Sequence, residues 1–441
     1  MEVHQPTGGG RPVSAAVHRV IADLKTLPRQ FWLLAAGTLV YLIGVEMSYP
    51  YETLYINGEL GVSMTTLGAI IGVSLLVTLP MQVVGGALCD RVGRRPVLIV
   101  AIIGSMTLYF GLGLSRDLGV IIALIAFEAA FGWSQFITAS NAIITDLTTM
   151  EQRTEAFSVS RVALNAGIMI GPMIALVLLA IDPSFRLNFF ASAIVCGVFL
   201  VMVLVLQRET RPPGVEAVSI TAAFRGYGAV LRDRHLVAFC LIAMLPLYAF
   251  GQIWATMPVM LRGLQDVTPT RWSVAMIAYG VSMVILQYPV IRILGKRDHM
   301  LLMTLSSLAL GAGCGAAPFL PWPWTLVSIV LISLGIVLLI PIASTVVSRL
   351  APVELRGRYM GVWTLVYMAG YAIGPLLGGW ALDALGGRLA YVVIAVACLI
   401  GAALFPLLRT SVRGRVDEAA ALEAAQARGG ELRGERPEQA V

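Results

Sequence analysis

"GGALCDRVGRRPVLIV", Gly85 to Val100, carries four charges (Asp90, Arg91, Arg94 and Arg95) within six residues. No charged residue occurs from Thr65 to Cys89 before it, or from Pro96 to Ser115 after it. A helix crosses the hydrocarbon core with about 20 apolar residues, so each flanking run is long enough to span. The stretch therefore reads as a charged, glycine-studded loop between two membrane spans.

Working outward, twelve such runs appear, at 31–50, 65–89, 96–115, 118–145, 156–180, 187–207, 236–261, 272–294, 300–317, 324–347, 359–382 and 389–408. The 441 residues are 58% hydrophobic and 13% charged, about half the charge of a soluble domain. The runs are continuous and show no period-two alternation, which predicts helices and excludes a β-barrel. Residues 1–30 are polar and lack the apolar core of a signal peptide. The expected fold class is an all-α integral membrane protein of twelve transmembrane helices.

The basic residues predict its orientation. With a cytoplasmic N-terminus, 25 of the 31 Lys and Arg residues fall on the inner side. Only Arg116, Arg186, Arg262, Arg271 and Arg388 fall outside, and Arg161 lies within a span. That asymmetry places both termini in the cytoplasm, and the net charge of +6 then faces an anionic leaflet rather than nucleic acid. The five cysteines are dispersed and the four histidines lie outside the spans, so no disulfide, metal site or cofactor is expected.

The chain repeats itself. "EQRTEAFSVSRVALNAGIMIGP" (151–172) aligns with "ELRGRYMGVWTLVYMAGYAIGP" (354–375), so that Glu151, Arg153, Gly167, Gly171 and Pro172 fall on Glu354, Arg356, Gly370, Gly374 and Pro375. "RVGRR" (91–95) is echoed by "ILGKR" (293–297), with Arg292 in the place of Asp90. This predicts two pseudo-symmetric six-helix bundles, 31–207 and 236–408. A cytoplasmic segment 1–30 precedes them, a linker 208–235 joins them and a tail 409–441 follows. Parallel repeats with a site between them at mid-membrane are a transporter architecture.

The motifs make that resemblance specific. Gly86, Leu88, Asp90, Arg91, Gly93, Arg94 and Arg95 resemble the signature loop between helices 2 and 3 of the major facilitator superfamily. Gly167, Gly171 and Pro172 resemble the helix-5 motif of its proton-driven exporters, and Glu46, four residues before Pro50, is similar to the first helix of its twelve-helix drug:proton antiporters. The resemblance implies proton-coupled efflux of small amphipathic or drug-like molecules by a monomer in the inner membrane. Its partners would be substrate, protons and lipid, not nucleic acid.

Each motif has a physical reading. Glycines at the end of helix 2 allow close helix approach, and Asp90 suits the free N–H groups of a facing helix. The cluster Gly86, Asp90, Arg91, Gly93, Arg94 and Arg95 is therefore expected to act as a latch on the cytoplasmic side. With Arg292 at the matching position, only the first half is expected to carry it in full.

Ionisable residues inside spans are functional candidates by default. At 1.5 Å per residue, Glu46 lies roughly 22 Å from the inner boundary, Glu128 about 16 Å and Arg161 about 12 Å. A carboxylate in a dry site favours its neutral form until water or a cation arrives, which is what a proton carrier requires. Glu46 is the first candidate and Glu128 the second. Glu128 stands four before Gly132, where the family's helix-4 pattern places an arginine, and Arg161 is expected to supply that charge in an ion pair with Glu128. Glu52 and Glu59 are expected at the solvated outer mouth.

Trp133, Gln135, Asn141 and Asn165 in the first half, and Gln252, Trp254, Tyr279 and Tyr367 in the second, are the candidate cavity lining, with Gln287, Trp363 and Tyr371 beside them. One charged wall and one apolar-aromatic wall suit amphipathic or cationic lipophilic compounds. The alternative on the same fold is a transporter of one sugar or metabolite, in either direction. An enzyme would need a catalytic cluster at a membrane face, and an ATP-driven pump a phosphate-binding Gly-x-x-x-x-Gly-Lys loop; neither pattern occurs.

Overall fold

The computed structural model describes residues 26–150, 152–211, 227–294, 297–352 and 355–410, with 412 and 414. Glu151 and Glu354 of the repeat, Gly295 and Lys296 of the second loop, and most of the expected leader, linker and tail lie outside the described residues.

Twelve helices are long and apolar enough to cross a membrane. They are α1 (Arg29–Gly58), α2 (Met64–Val92), α3 (Arg94–Leu114), α4 (Leu118–Leu147), α5 (Arg153–Ile181) and α6 (Arg186–Leu206) in the first half. The second half has α7 (Arg234–Gly251), α8 (Pro269–Leu294), α9 (His299–Ala316), α10 (Thr325–Leu350), α11 (Arg356–Leu385) and α12 (Gly387–Leu408). No strand occurs among the described residues. The face carrying Arg29 and Leu408 is called near, and the opposite face far.

Three helices are interrupted, each for a local reason. In α1 the helix stops at Ser48, makes one 3-10 turn over Tyr49–Tyr51 and resumes at Glu52, because Pro50 has no N–H to donate. In α4 Gly132 (φ −92°, ψ −109°) separates Leu118–Phe131 from Trp133–Leu147. After Gly251 the chain turns and continues the seventh crossing as Met257–Gln265.

Lipid tails are as apolar as leucine, so helix association here rests on close backbone approach and interhelical hydrogen bonds, each about 0.6 kcal/mol. Such bonds stitch both halves: Tyr41 to Ser105 (2.7 Å) and Ser48 to Ser192 (2.7 Å), then Ser306 to the Gly335 carbonyl (2.8 Å) and Thr256 to Tyr391 (2.9 Å). The glycines supply the close approach. Gly167 and Gly171 of α5 lie against Leu42 and Glu46 of α1. Their repeats in α11, Gly370 and Gly374, lie against Leu247 and Gly251 of α7. The 203-residue repeat is thus a repeat of helix pairs, and the two six-helix bundles are related by it.

Candidate functional site

The halves meet along α2 with α11 and α5 with α8, and the contacts are unequal across the membrane. Hydrogen bonds cross between halves from Tyr51 to Ser273 (2.6 Å), from the Trp272 indole to the Pro50 carbonyl (3.0 Å) and from Arg262 to the Leu54 carbonyl (3.4 Å). Asp383 joins Met64 and Thr65. All of these lie toward the far face. Deeper in, Tyr49 meets Tyr371 (2.7 Å) and Asn165 donates to Gln287 (3.3 Å). Nearer the terminal side, Gly86 of α2 and Gly357 of α11 have open space where a side chain would stand. This one-sided pattern of contacts implies a cleft between the halves, closed at the far face and open at the near face.

Glu46 sits at the apex of the cleft. Gly171 places the α5 backbone so near that a β-carbon there would stand 2.7 Å from Cβ of Glu46. Glu46 is 7% exposed, and its Oε2 has no hydrogen-bond partner among the described residues. Beside it the break in α1 presents Tyr49, whose ring lies 5.6 Å from Trp254, itself 5.5 Å from Tyr279. Phe250 adds contacts to Tyr371 (5.3 Å) and Tyr367 (6.2 Å). A carboxylate without a hydrogen-bond partner on Oε2 among the described residues thus adjoins an aromatic cluster drawn from both halves, with the Glu52 carboxylate in electrostatic range. Tyr49 and Phe250, absent from the expected lining, belong to it; the α1 break that brings Tyr49 inward was readable from Pro50.

Several expectations are corrected. Glu128 makes no ion pair with Arg161. It bends over Gly132, where a side chain would collide with it, and accepts from Trp133 N–H (2.9 Å) and Ser105 Oγ (3.4 Å). The spacing of four to Gly132 is that of a carboxylate capping the restarted helix. Gln135 and Gln252 do not line a cavity. Gln135 is buried and donates to the Met81 (2.7 Å) and Ala130 (3.0 Å) carbonyls. Gln252 is buried too, donates to Gly374 (2.9 Å) and Tyr248 (3.1 Å) and accepts from Thr256 (2.6 Å). Both amides satisfy carbonyls freed where α4 and α7 break. Trp363 is buried against Phe239. Glu52 is half-buried rather than solvated, and its Oε1 is buried with no hydrogen-bond partner among the described residues.

Arg161 stays exposed. On α5, Gly167 and Gly171 face α1 while Asn165 and Met169 face α8. Arg161 falls between those directions, one turn below Asn165, and reaches Tyr367 of the opposite half electrostatically. Trp133 and Asn141 share one exposed side of α4, two turns apart.

The charged loop forms a cluster with the first half and the start of the linker, and none of its hydrogen bonds or ion pairs among the described residues reaches the second half. Arg94 pairs with Asp90 (3.2 Å) and Asp146 (2.8 Å) and donates to the Cys89 carbonyl (2.8 Å). Arg95 donates to the Val203 and Leu204 carbonyls (3.3 and 2.6 Å), and the Arg91 carbonyl accepts from Arg211 (2.8 Å). Asp90 does not cap a facing helix here, contrary to expectation; its carboxylate is taken up by Arg94 of its own loop. Glu209, unforeseen although it stands in the charged run "RETR" (208–211), fills the space beside Gly93. It accepts from the N–H groups of Arg94 (2.9 Å), Arg95 (3.1 Å), Thr210 (2.9 Å) and Arg211 (3.0 Å). Burial alone would raise its carboxyl, but those four donors hold it below its ordinary value.

Two pseudo-symmetric bundles around a one-sided cleft define a secondary transporter. The chain belongs to the Major Facilitator Superfamily, whose sequence pattern matches residues 34–335 and 247–436. It is 26% identical to the multidrug resistance protein MdtH of Cronobacter sakazakii over 82% of this chain and 89% of that one. It is 25% identical to a Na(+), Li(+), K(+)/H(+) antiporter of Planococcus maritimus, over 75% and 84%. In fold it is similar to the crystal structure of the peptide transporter POT in complex with sulfate, with TM-score 0.72, 16% identity and coverage of 88% and 96%. These are membrane transporters, and this chain is a transporter rather than an enzyme.

Proposed function

We propose that this protein is a proton-coupled exporter of small amphipathic molecules that works as a monomer by alternating access. In this reading the near face is cytoplasmic, the membrane is the bacterial inner membrane, and the bundles, linker and tail divide as the sequence suggests. One observation carries the proposal: Glu46, buried at the apex of the cleft with an unpartnered carboxylate oxygen. Such a group binds a proton when the site is dry and releases it when water or a cation enters. Gly167, Gly171 and Pro172 serve by holding α5 against α1 at that level. Trp254, Tyr279 and Tyr367 supply an aromatic wall, Trp133, Asn141 and Asn165 a mixed one. The likeness to MdtH supports efflux, and the likeness to a cation/H(+) antiporter supports coupling to protons.

Glu128 is the lesser candidate for coupling, since its carboxylate already caps a helix. The loop around Asp90 and Arg94 acts as the near-face latch, disengaged in this conformation.

The test is transport in proteoliposomes under an imposed pH gradient, with a panel of dyes, antibiotics and sugars. Glu46→Gln should abolish pH-driven accumulation by at least tenfold while binding of neutral compounds persists. If Glu46→Gln and Glu128→Gln both accumulate substrate at the parental rate, proton coupling through either acid is wrong.

A second reading, transport of one metabolite, draws on Arg161. It faces the cleft with no carboxylate within ion-pair distance among the described residues. Closing the near face would enclose that charge, and a substrate carrying a carboxylate or phosphate would neutralise it. Faster pH-driven flux of carboxylated dyes than of cationic ones, lost in Arg161→Gln, would favour it.

A further inference from the structure

The charged loop has a second copy, at a different offset from the one the half-repeat suggests. With a shift of 293, Gly86, Asp90, Val92, Gly93 and Arg95 fall on Gly379, Asp383, Leu385, Gly386 and Arg388. The backbone repeats as well. α2 ends at Val92 and α11 at Leu385, each two residues past its aspartate. The next residue in each case is a glycine at positive φ, Gly93 at 108° and Gly386 at 76°, a turn that favours glycine. Since α2 runs from far to near and α11 from near to far, the copies stand on opposite faces.

The far-face copy is engaged across the halves. The Asp383 carboxylate accepts from the N–H groups of Met64 (3.3 Å) and Thr65 (2.7 Å), the first two residues of α2, and from the Thr65 hydroxyl (2.7 Å). Ser63 accepts from the third, Thr66 (3.2 Å). Free N–H groups and the helix dipole favour an anion at this point. One turn before Asp383, Gly379 lies against the Met64 carbonyl, and Gly68 lies against the Pro375 carbonyl. No side chain separates the two backbones there.

The near-face copy is disengaged. Gly86, the counterpart of Gly379, has no neighbour within 4 Å of the position its β-carbon would take, and Asp90 is held by Arg94 of its own loop.

We propose that Asp383 is a positioning residue of transport, the far-face twin of Asp90. It closes the far side by capping α2 while Asp90 is idle, and lets go as Asp90 caps the start of α11. Rocking that joins the near ends of α2 and α11 parts their far ends, so only one cap forms at a time. Matched caps keep neither face permanently favoured, which alternating access requires. The far latch stands on the Asp383 contacts and is independent of substrate and driving ion. The pairing also rests on the reading of Asp90 as a near-face latch.

The test is a spin-label distance between Arg116→Cys and Phe319→Cys, exposed positions on far-face loops of opposite halves, in full-length protein in lipid nanodiscs with the native cysteines replaced. Asp383→Asn keeps the size and removes the charge; it should raise the far-open to far-closed ratio about tenfold, the loss of one charged cap. Asp90→Asn should lower that ratio, and the double variant should return to within about threefold of the parent. Thr65→Val, which spares the backbone donors, should give a smaller shift in the direction of Asp383→Asn, and serves if that variant fails to fold. An unchanged distance distribution in a folded Asp383→Asn protein overturns the far latch. A shift in Asp383→Asn with none in Asp90→Asn supports the far latch and overturns the pairing.

Discussion

Glu46 is placed by what its neighbour lacks. Gly171 has no side chain, so α5 rests directly on the α1 backbone at the level of the carboxylate. Gly171→Ala would push a methyl group against Cβ of Glu46, and overpacking of this kind costs about 1–3 kcal/mol. The expected result is a lower melting temperature, and a greater proportional loss of pH-driven flux than of substrate binding. Equal losses would show that Gly171 serves stability alone. Glu128 teaches the reverse lesson. Its depth in the span suggested chemistry, yet its partners, the Trp133 N–H and Ser105, make it a helix cap.

Among the elements, the interrupted helices and the charged loop carry the local design. Breaks in α4 and α7 free carbonyls that Gln135 and Gln252 then satisfy, which removes both amides from the cleft. At the near face, Glu209 ties the segment after α6 to the first turn of α3. A carboxyl held below its ordinary value contributes stability above the unfolded value of about 4.3, and that contribution fades as pH falls through the lowered folded value. The melting temperature of the parent should therefore drop on acidification below pH about 4.5 more than that of Glu209→Gln. At neutral pH the variant should melt about 1–2 °C lower, the change expected for losing one solvent-exposed cap. Identical pH profiles would remove Glu209 from the account.

For the whole molecule, the conformation is the decisive property: joined at the far face, parted at the near face. Gly86→Cys tests it directly, since open space surrounds that position. A maleimide that cannot cross membranes should label it in inside-out vesicles and not in intact cells. Labelling in intact cells would invert the orientation, and protection in both would mean that the near face rests closed.

Much of this was legible in the chain. Twelve spans, the two halves and the near-face concentration of arginine follow from hydropathy and charge, because a bilayer imposes length and sign on each segment separately. The helix-5 glycines could be read for the same reason, as a close approach is written in the residue that permits it. The employment of the polar side chains could not. Thr65 and Asp383 lie 318 residues apart, and Asn165 and Gln287 lie 122 apart. Whether such a group caps a helix, fills a break or faces the cleft depends on which distant backbone arrives beside it. The closed face follows the same rule: α2 and α11 carry matching aspartates and glycines at opposite ends, so the chain describes both closures equally, and only the packing of the two halves selects one.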